Sequence, residues 1–351
     1  MTEQNTPPQV APKILVDVHG LSKYFPIEKG FFRKVVGHVR AVDDVDFSIP
    51  EGKTLSLVGE SGCGQTTLGR CLIRAIEPTR GNIIYNLDGQ RVDITALSPS
   101  EMRGVRRHMQ MVFQDPYSSL DPRKTILDIV GEPLRLNNIA RGTDLMNRVK
   151  DLMDVVGLDI KYLHRYPHAF SGGQRQRIGI ARALSLNPKL IVCDEAVSAL
   201  DVSVQAQILN LFQDLQQKFN LTYLFVAHDL SVVEHISDQV VVMYVGKMVE
   251  QAETEELFLH PKHPYTEALL SAVPKPDPAN PLNEIQLQGE IANPANPPSG
   301  CYFHPRCKYA QDICRTDAPP RLEVAPGHFA VCHFANQLQL QGAVSLQGAV
   351  K

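Results

Sequence analysis

The sequence predicts an α/β chain built on a mainly parallel sheet, and three observations carry that expectation. A short apolar strand over residues 54–58 runs into Gly59-Glu60-Ser61-Gly62-Cys63-Gly64-Gln65-Thr66-Thr67, after which a helix is expected over 66–76. A second apolar run, Leu190-Ile191-Val192-Cys193, ends in Asp194-Glu195 and reads as a strand covered on both faces. Beyond it, Val204, Ile208, Leu211, Phe212, Leu215 and Phe219 recur at helical spacing, and strands are expected over 222–227 and 239–244.

Taken in order, residues 1–12 are polar with three prolines and read as a disordered tail without an apolar signal core. A strand begins at 14–18, with Lys23-Tyr24-Phe25 close behind it. Residues 29–40 form a basic insertion carrying Phe31 and Phe32, which reads as a solvated hairpin or a contact with lipid headgroups. Residues 41–49 and 82–85 are further strands, separated by the glycine-rich loop and its helix. From about 98 to 183 the pattern is mostly helical, broken at Pro116, Pro122, Pro133 and Pro167, with one strand over 109–113. After 239–244 a turn at Gly246 leads into a strand over 247–250.

The 351 residues suffice for about two domains, and 43% apolar with 21% charged residues is ordinary for a globular protein. A formal charge of −3 argues against a nucleic-acid partner. No stretch approaches the roughly 18 apolar residues that span a bilayer, so the chain is expected on the cytoplasmic side.

The chemistry gathers at the glycine-rich loop. It fits the phosphate-binding pattern of Gly, four residues, Gly, Lys, Ser/Thr, except that Gln65 stands where lysine belongs. Glycines let successive N–H groups face a triphosphate, Thr66 offers a hydroxyl to Mg²⁺, and a helix N-terminus favours anions. Asp194 and Glu195 close an apolar strand, where one carboxylate can hold Mg²⁺ and the other can polarise an attacking water. Ser171-Gly172-Gly173-Gln174 reads as a capped helix entry. Ser198-Ala199-Leu200-Asp201 follows the acidic pair, and His228 ends a strand.

Together these residues resemble the ATP-binding subunits of ABC transporters over about residues 14–270. The resemblance implies a P-loop ATPase fold: a RecA-like core, an antiparallel β subdomain, a helical subdomain near 98–183 and a loop-rich C-terminal extension. It makes Gly59, Ser61, Gly62, Cys63, Gly64, Gln65, Thr66 and Thr67 the Walker A loop, and Asp194 and Glu195 the end of Walker B. Gln114 becomes the Q-loop, Ser171, Gly172, Gly173 and Gln174 the signature, Asp201 the D-loop residue and His228 the H-loop. Phe25, or its neighbour Tyr24, falls where the family stacks an aromatic ring on adenine. Thr66, Gln114 and Asp194 are implied Mg²⁺ contacts, and Glu195, His228 and Gln114 the catalytic set.

The resemblance also implies a head-to-tail pair with a second ABC ATPase subunit, in which this signature would meet the partner's ATP. Two membrane permease subunits and, indirectly, a substrate-binding protein would complete a complex peripheral to the inner membrane.

The C-terminal segment narrows the family. His263-Pro264-Tyr265-Thr266, Asn296-Pro297-Pro298-Ser299-Gly300-Cys301 and Phe303-His304-Pro305-Arg306-Cys307 resemble the extension of dipeptide/oligopeptide importer ATPases. Between 274 and 326 lie 11 of the 25 prolines, excluding a long helix or a central strand. Four of the seven cysteines are spaced Cys301-x5-Cys307-x6-Cys314-x17-Cys332. Four thiolates suit Zn²⁺ or a 4Fe-4S cluster, and idle thiols are the remaining reading. The resemblance implies the cluster, with these four as ligands.

The expected organisation is a nucleotide-binding domain over 13–260, an extension over 261–340 and a tail over 341–351. Gln65 is neutral and shorter than lysine, so this chain's own site is expected to bind ATP weakly and hydrolyse it poorly. Alternatives are a non-hydrolysing regulatory half-site in a heterodimer, an importer of nickel or another small solute, and a soluble ABC protein acting on ribosomes or DNA.

Overall fold

The computed structural model describes residues 13–273 and 285–343. The expected tail over 1–12 and most of that over 341–351 lie outside them.

The chain opens as a long hairpin of β1 (Ile14–Lys29) and β2 (Lys34–Pro50), closed by the Gly30–Arg33 turn. Its tip extends past the rest of the sheet, and the basic insertion there leaves Phe31 and Phe32 98% and 92% exposed. Buried Val16, Val18, Val45, Phe47 and Ile49 alternate inward nearer its base. The next strand, β3 (Thr54–Val58), is fully buried and enters the glycine-rich loop; α1 (Gln65–Leu72) leaves it. This helix is a turn shorter than the spacing predicts. Arg74 adopts a left-handed φ of 50°, and the N–H groups of Ala75 and Ile76 turn back to the Arg70 carbonyl. β4 (Arg80–Leu87) and β5 (Gln90–Asp93) complete an antiparallel sheet in the order β2-β1-β4-β5.

A helical section follows. α2 (Pro99–Val105) starts on a Ser98–Glu101 capping box, and β6 (Met109–Val112) precedes α3 (Ile126–Leu136) and α4 (Gly142–Val155). Pro133 sits inside α3 instead of breaking it. Only one turn remains beyond it, and its carbonyl still accepts from the backbone N–H of Asn137. α5 (Gly172–Leu184) leads to β7 (Leu190–Asp194), α6 (Val202–Phe219), β8 (Thr222–Val226), α7 (Leu230–Ile236) and β9 (Gln239–Tyr244).

The second sheet holds β9-β3-β8-β7-β6 as successive parallel neighbours. Its central strands divide their residues between two cores. Leu190, Val192, Leu224 and Val226 face α1 and the antiparallel sheet, whereas Ile191, Cys193, Tyr223 and Phe225 face the helices on the other side. Strands buried on both faces explain their unbroken apolar runs.

β10 (Lys247–Glu253) turns antiparallel onto β9, and α8 (Thr254–Leu259) and α9 (Pro264–Ser271) follow. The extension contains α10 (Asp312–Thr316) and then adds strands that proline content alone did not predict. β11 (Arg321–Ala325) and β12 (His328–Val331) form a hairpin, and β12 pairs with β10. They lie at the sheet's edge, where the ladder tolerates such a sequence. The extension is therefore joined to the main sheet by backbone hydrogen bonds.

Candidate nucleotide site

The carboxyl ends of β3, β7 and β8 converge on the glycine-rich loop, the position at which open α/β sheets place ligands. Two of its glycines are steric necessities. A Cβ on Gly59, at φ +154°, would lie 2.3 Å from the Met243 carbonyl oxygen, and one on Gly64, at φ +110°, 2.0 Å from that of Ala41. Gly64 is the N-cap of α1, which has no side-chain cap and no acid in its first turn. Its first N–H groups are thus left for an anion. The Cys63 side chain is buried beneath the loop and its thiol is pushed up to about 12 by that burial, so its sulfur packs as a neutral group.

Gln65 is 4% exposed, and its amide Nε2 donates to the Leu57 carbonyl at 3.1 Å. Thr66 Oγ1 donates to Asp194 Oδ1 at 2.8 Å, and Arg70 lies 3.6 Å from the other carboxylate oxygen. Burial raises the Asp194 carboxyl above its usual range, offset in part by Thr66 and then Arg70.

Glu195 follows directly in a left-handed turn at φ 49°, its N–H bonded to the Val226 carbonyl at 3.1 Å. One of its carboxylate oxygens meets His228 Nε2, and the other accepts from the Gln114 amide. His228 Nδ1 lies 3.3 Å from the Gly59 carbonyl oxygen, so the ring spans from Glu195 to the glycine-rich loop. Residues from β3, β7, β8 and the end of β6 thereby form one network, which could hold a metal at Thr66 and Asp194 and orient a water at Glu195.

Other expected residues lie apart from that network. Tyr24 donates its hydroxyl to Asp43 and lies beneath Arg80, while Phe25 lies at the surface beneath Lys23. Ser171 and Gln174 close on one another as a capping box at the start of α5. Gly173 leaves room for Val204, whose Cγ1 would come 2.5 Å from a Cβ there. Asp201 stands at the N-cap position of α6, and its side chain accepts no hydrogen bond from the helix backbone.

The four late cysteines line a single small cavity together with Phe303 and Phe334. Gly300, at φ +66°, permits this: its backbone runs so close to Cys314 that the Cys301 N–H bonds to the Cys314 carbonyl at 2.9 Å. Burial pushes the Cys307 thiol up to about 12 and that of Cys301 to about 11, and the neighbouring thiols add to both shifts. Among the described residues no group of three or more His, Cys, Asp or Glu side chains is placed to hold one metal ion.

Sequence reasoning missed how the extension reaches the loop. Arg306 pairs with Glu60, and the Tyr265 hydroxyl accepts from the Glu60 N–H. Both residues stand in motifs quoted above, yet no local signal links them to a loop more than 200 residues away.

Comparison with known proteins gives a consistent picture. A family model described as "ABC transporter" matches residues 42–198, and one described as "Oligopeptide/dipeptide transporter, C-terminal region" matches 249–314. The chain is 53% identical over 323 residues to the oligopeptide transport ATP-binding protein AppF of Bacillus subtilis, spanning 91% of this chain and 97% of that protein. It is 48% identical over 331 residues to the dipeptide transport ATP-binding protein DppF of Haemophilus influenzae, spanning 94% and 97%. Among solved structures, a dimeric post-hydrolysis state of the ATP-binding cassette MJ0796 bound to ADP and Pi superposes with a TM-score of 0.59 at 26% identity, covering 68% of this chain and 99% of that one.

Proposed function

The chain belongs to the ATP-binding subunits of oligopeptide and dipeptide ABC transporters, and we propose that it energises the import of short peptides through membrane permease subunits. The observation that carries this reading is the network joining Gly59, Thr66, Gln114, Asp194, Glu195 and His228 at the ends of the parallel strands.

Each residue has a role its contacts support. The loop's N–H groups and the α1 terminus bind the phosphates of ATP. Thr66 and Asp194 are the hard oxygen donors suited to Mg²⁺, which when bound would neutralise charge developing on the phosphates. Glu195 takes a proton from the attacking water, and His228 orients Glu195 by bridging it to the Gly59 carbonyl. Each Glu195 oxygen has one partner here, Gln114 or His228, and keeps a further lone pair with which a water can be held.

Gln65 impairs this chain's own phosphate site. One of its two amide N–H donors is spent on the Leu57 carbonyl, and it brings no positive charge. The signature, Ser171 to Gln174, is intact and would complete the ATP site of a second ATPase subunit packed head to tail. Among the described residues no helix is long and apolar enough to cross a membrane, so attachment to the inner membrane's cytoplasmic face would come through two permease subunits.

The four cysteines are read as ligands of a structural 4Fe-4S cluster. They line one apolar cavity, and a cube of iron and sulfur takes its thiolates at separate corners, unlike a single tetrahedral ion. Such a staple suits a small loop-rich module.

Uptake of labelled short peptides in cells lacking this chain tests the function. The account expects uptake to fall, to return with the intact gene, and to stay low with Ser171→Arg, which blocks the partner's ATP. Unchanged uptake in the deletion strain would refute it.

A further inference from the structure

We propose that Arg306 and Tyr265 are positioning residues of the phosphate-binding loop, so that nucleotide affinity depends on the C-terminal extension; this rests on the reading of Gly59 to Thr67 as the ATP site. Arg306 grips Glu60 as a fork, Nη1 to Oε2 at 2.6 Å and Nη2 to Oε1 at 2.9 Å. The Glu60 N–H donates to the Tyr265 hydroxyl at 2.7 Å, and the Glu60 carbonyl accepts from Cys63 within the loop at 3.1 Å. Every polar group of the residue after Gly59 is therefore assigned, two of them by the extension.

The grip is rigid on the extension's side. The Arg306 side chain is only 6% exposed, and its guanidinium lies 5.9 Å from the Tyr244 ring centroid. Tyr244, Tyr265 and Phe303 pack edge to face or tilted, at 4.8 to 5.3 Å between centroids. Phe303 and Arg306 fall between Cys301 and Cys307, so the wall of the cysteine cavity and the loop's anchor are one segment.

Two effects follow from that geometry. A bidentate charge pair fixes direction as well as distance, which holds the loop's first turn in the conformation that aims its N–H groups. Arg306 also neutralises a carboxylate carried by a loop that must receive a polyanion. Without it, Glu60 would stand half-buried and bare beside the phosphates, opposing them.

Titration calorimetry with Mg-ATP on the full chain tests this, in the chain as it is and with Gln65→Lys. Arg306→Ala is expected to weaken binding about tenfold or more, the scale of one charge-assisted contact, and Arg306→Lys to recover part of the loss. Because Arg306 acts through Glu60, Arg306→Ala combined with Glu60→Gln should bind no more weakly than Glu60→Gln alone. If Arg306→Ala fails to fold, Arg306→Lys with and without Glu60→Gln makes the same comparison. Unchanged affinity in Arg306→Ala, or additive losses in the double variant, would overturn the positioning role while leaving the ATP site standing. No Mg-ATP binding in either parent chain would overturn the ATP reading and this inference together.

Discussion

Gln65 reaches back to the Leu57 carbonyl on the strand that delivers its own loop, a 3.1 Å hydrogen bond sealed from solvent. The loop is thus closed by a neutral amide at the position where its motif places a mobile cation. Losing one charge-assisted phosphate contact costs on the order of 1.5–3 kcal/mol, and more in the rate if the contact strengthens as charge develops. On the proposed reading, any loss of phosphate binding at this site traces to that one side chain.

His228 is the link between the loop and the carboxylate that would activate water. Replacing it with alanine should lower ATP hydrolysis by roughly 10²–10³ fold while changing Mg-ATP affinity little, because its partners are Glu195 and the Gly59 carbonyl. Steady-state and binding measurements on His228→Ala in the Gln65→Lys background separate the two effects. An equal loss in both would assign His228 to binding.

Gly64 packs where the loop, β2 and the β9–β10 turn meet. Gly64→Ala would drive a methyl group into the Ala41 carbonyl at a left-handed φ, costing about 3 kcal/mol or more. Denaturant unfolding should show the loss, accompanied by loss of nucleotide binding. A neutral outcome would mean that the β2–loop packing can relax.

His263 caps α9 and lies wholly buried, and burial pushes it down to about 3. A depressed folded-state value means that the native contribution is full above the unfolded value near 6.5 and is lost as pH falls from there toward 3. The slope contributed is up to about 1.4 kcal/mol per pH unit. Unfolding free energies of the chain and of His263→Gln, measured at pH 7.5 and 5, should therefore converge at the lower pH. Parallel curves would contradict this.

The nucleotide site was legible because its signals are local. Strand, glycine loop and helix at 54–72, and the apolar strand ending in Asp194-Glu195, are each continuous stretches of sequence. The parallel core followed from unbroken apolar strands whose alternate residues serve two cores. Element ends were less legible: α1 stops at Leu72 because of one left-handed arginine, and α3 runs past Pro133. Least legible were contacts between distant segments. The Arg306–Glu60 fork and the β10–β12 pairing join residues with no shared periodicity or spacing. The gathering of four cysteines around one cavity was implied only by family resemblance.

We propose above that this chain's ATPase site is complete except at Gln65. Single-turnover ATP hydrolysis by the assembled transporter, with the partner's site inactivated, tests it for the chain as it is and for Gln65→Lys. The account predicts a low rate that rises at least about tenfold with lysine. Equal rates in the two proteins would contradict it.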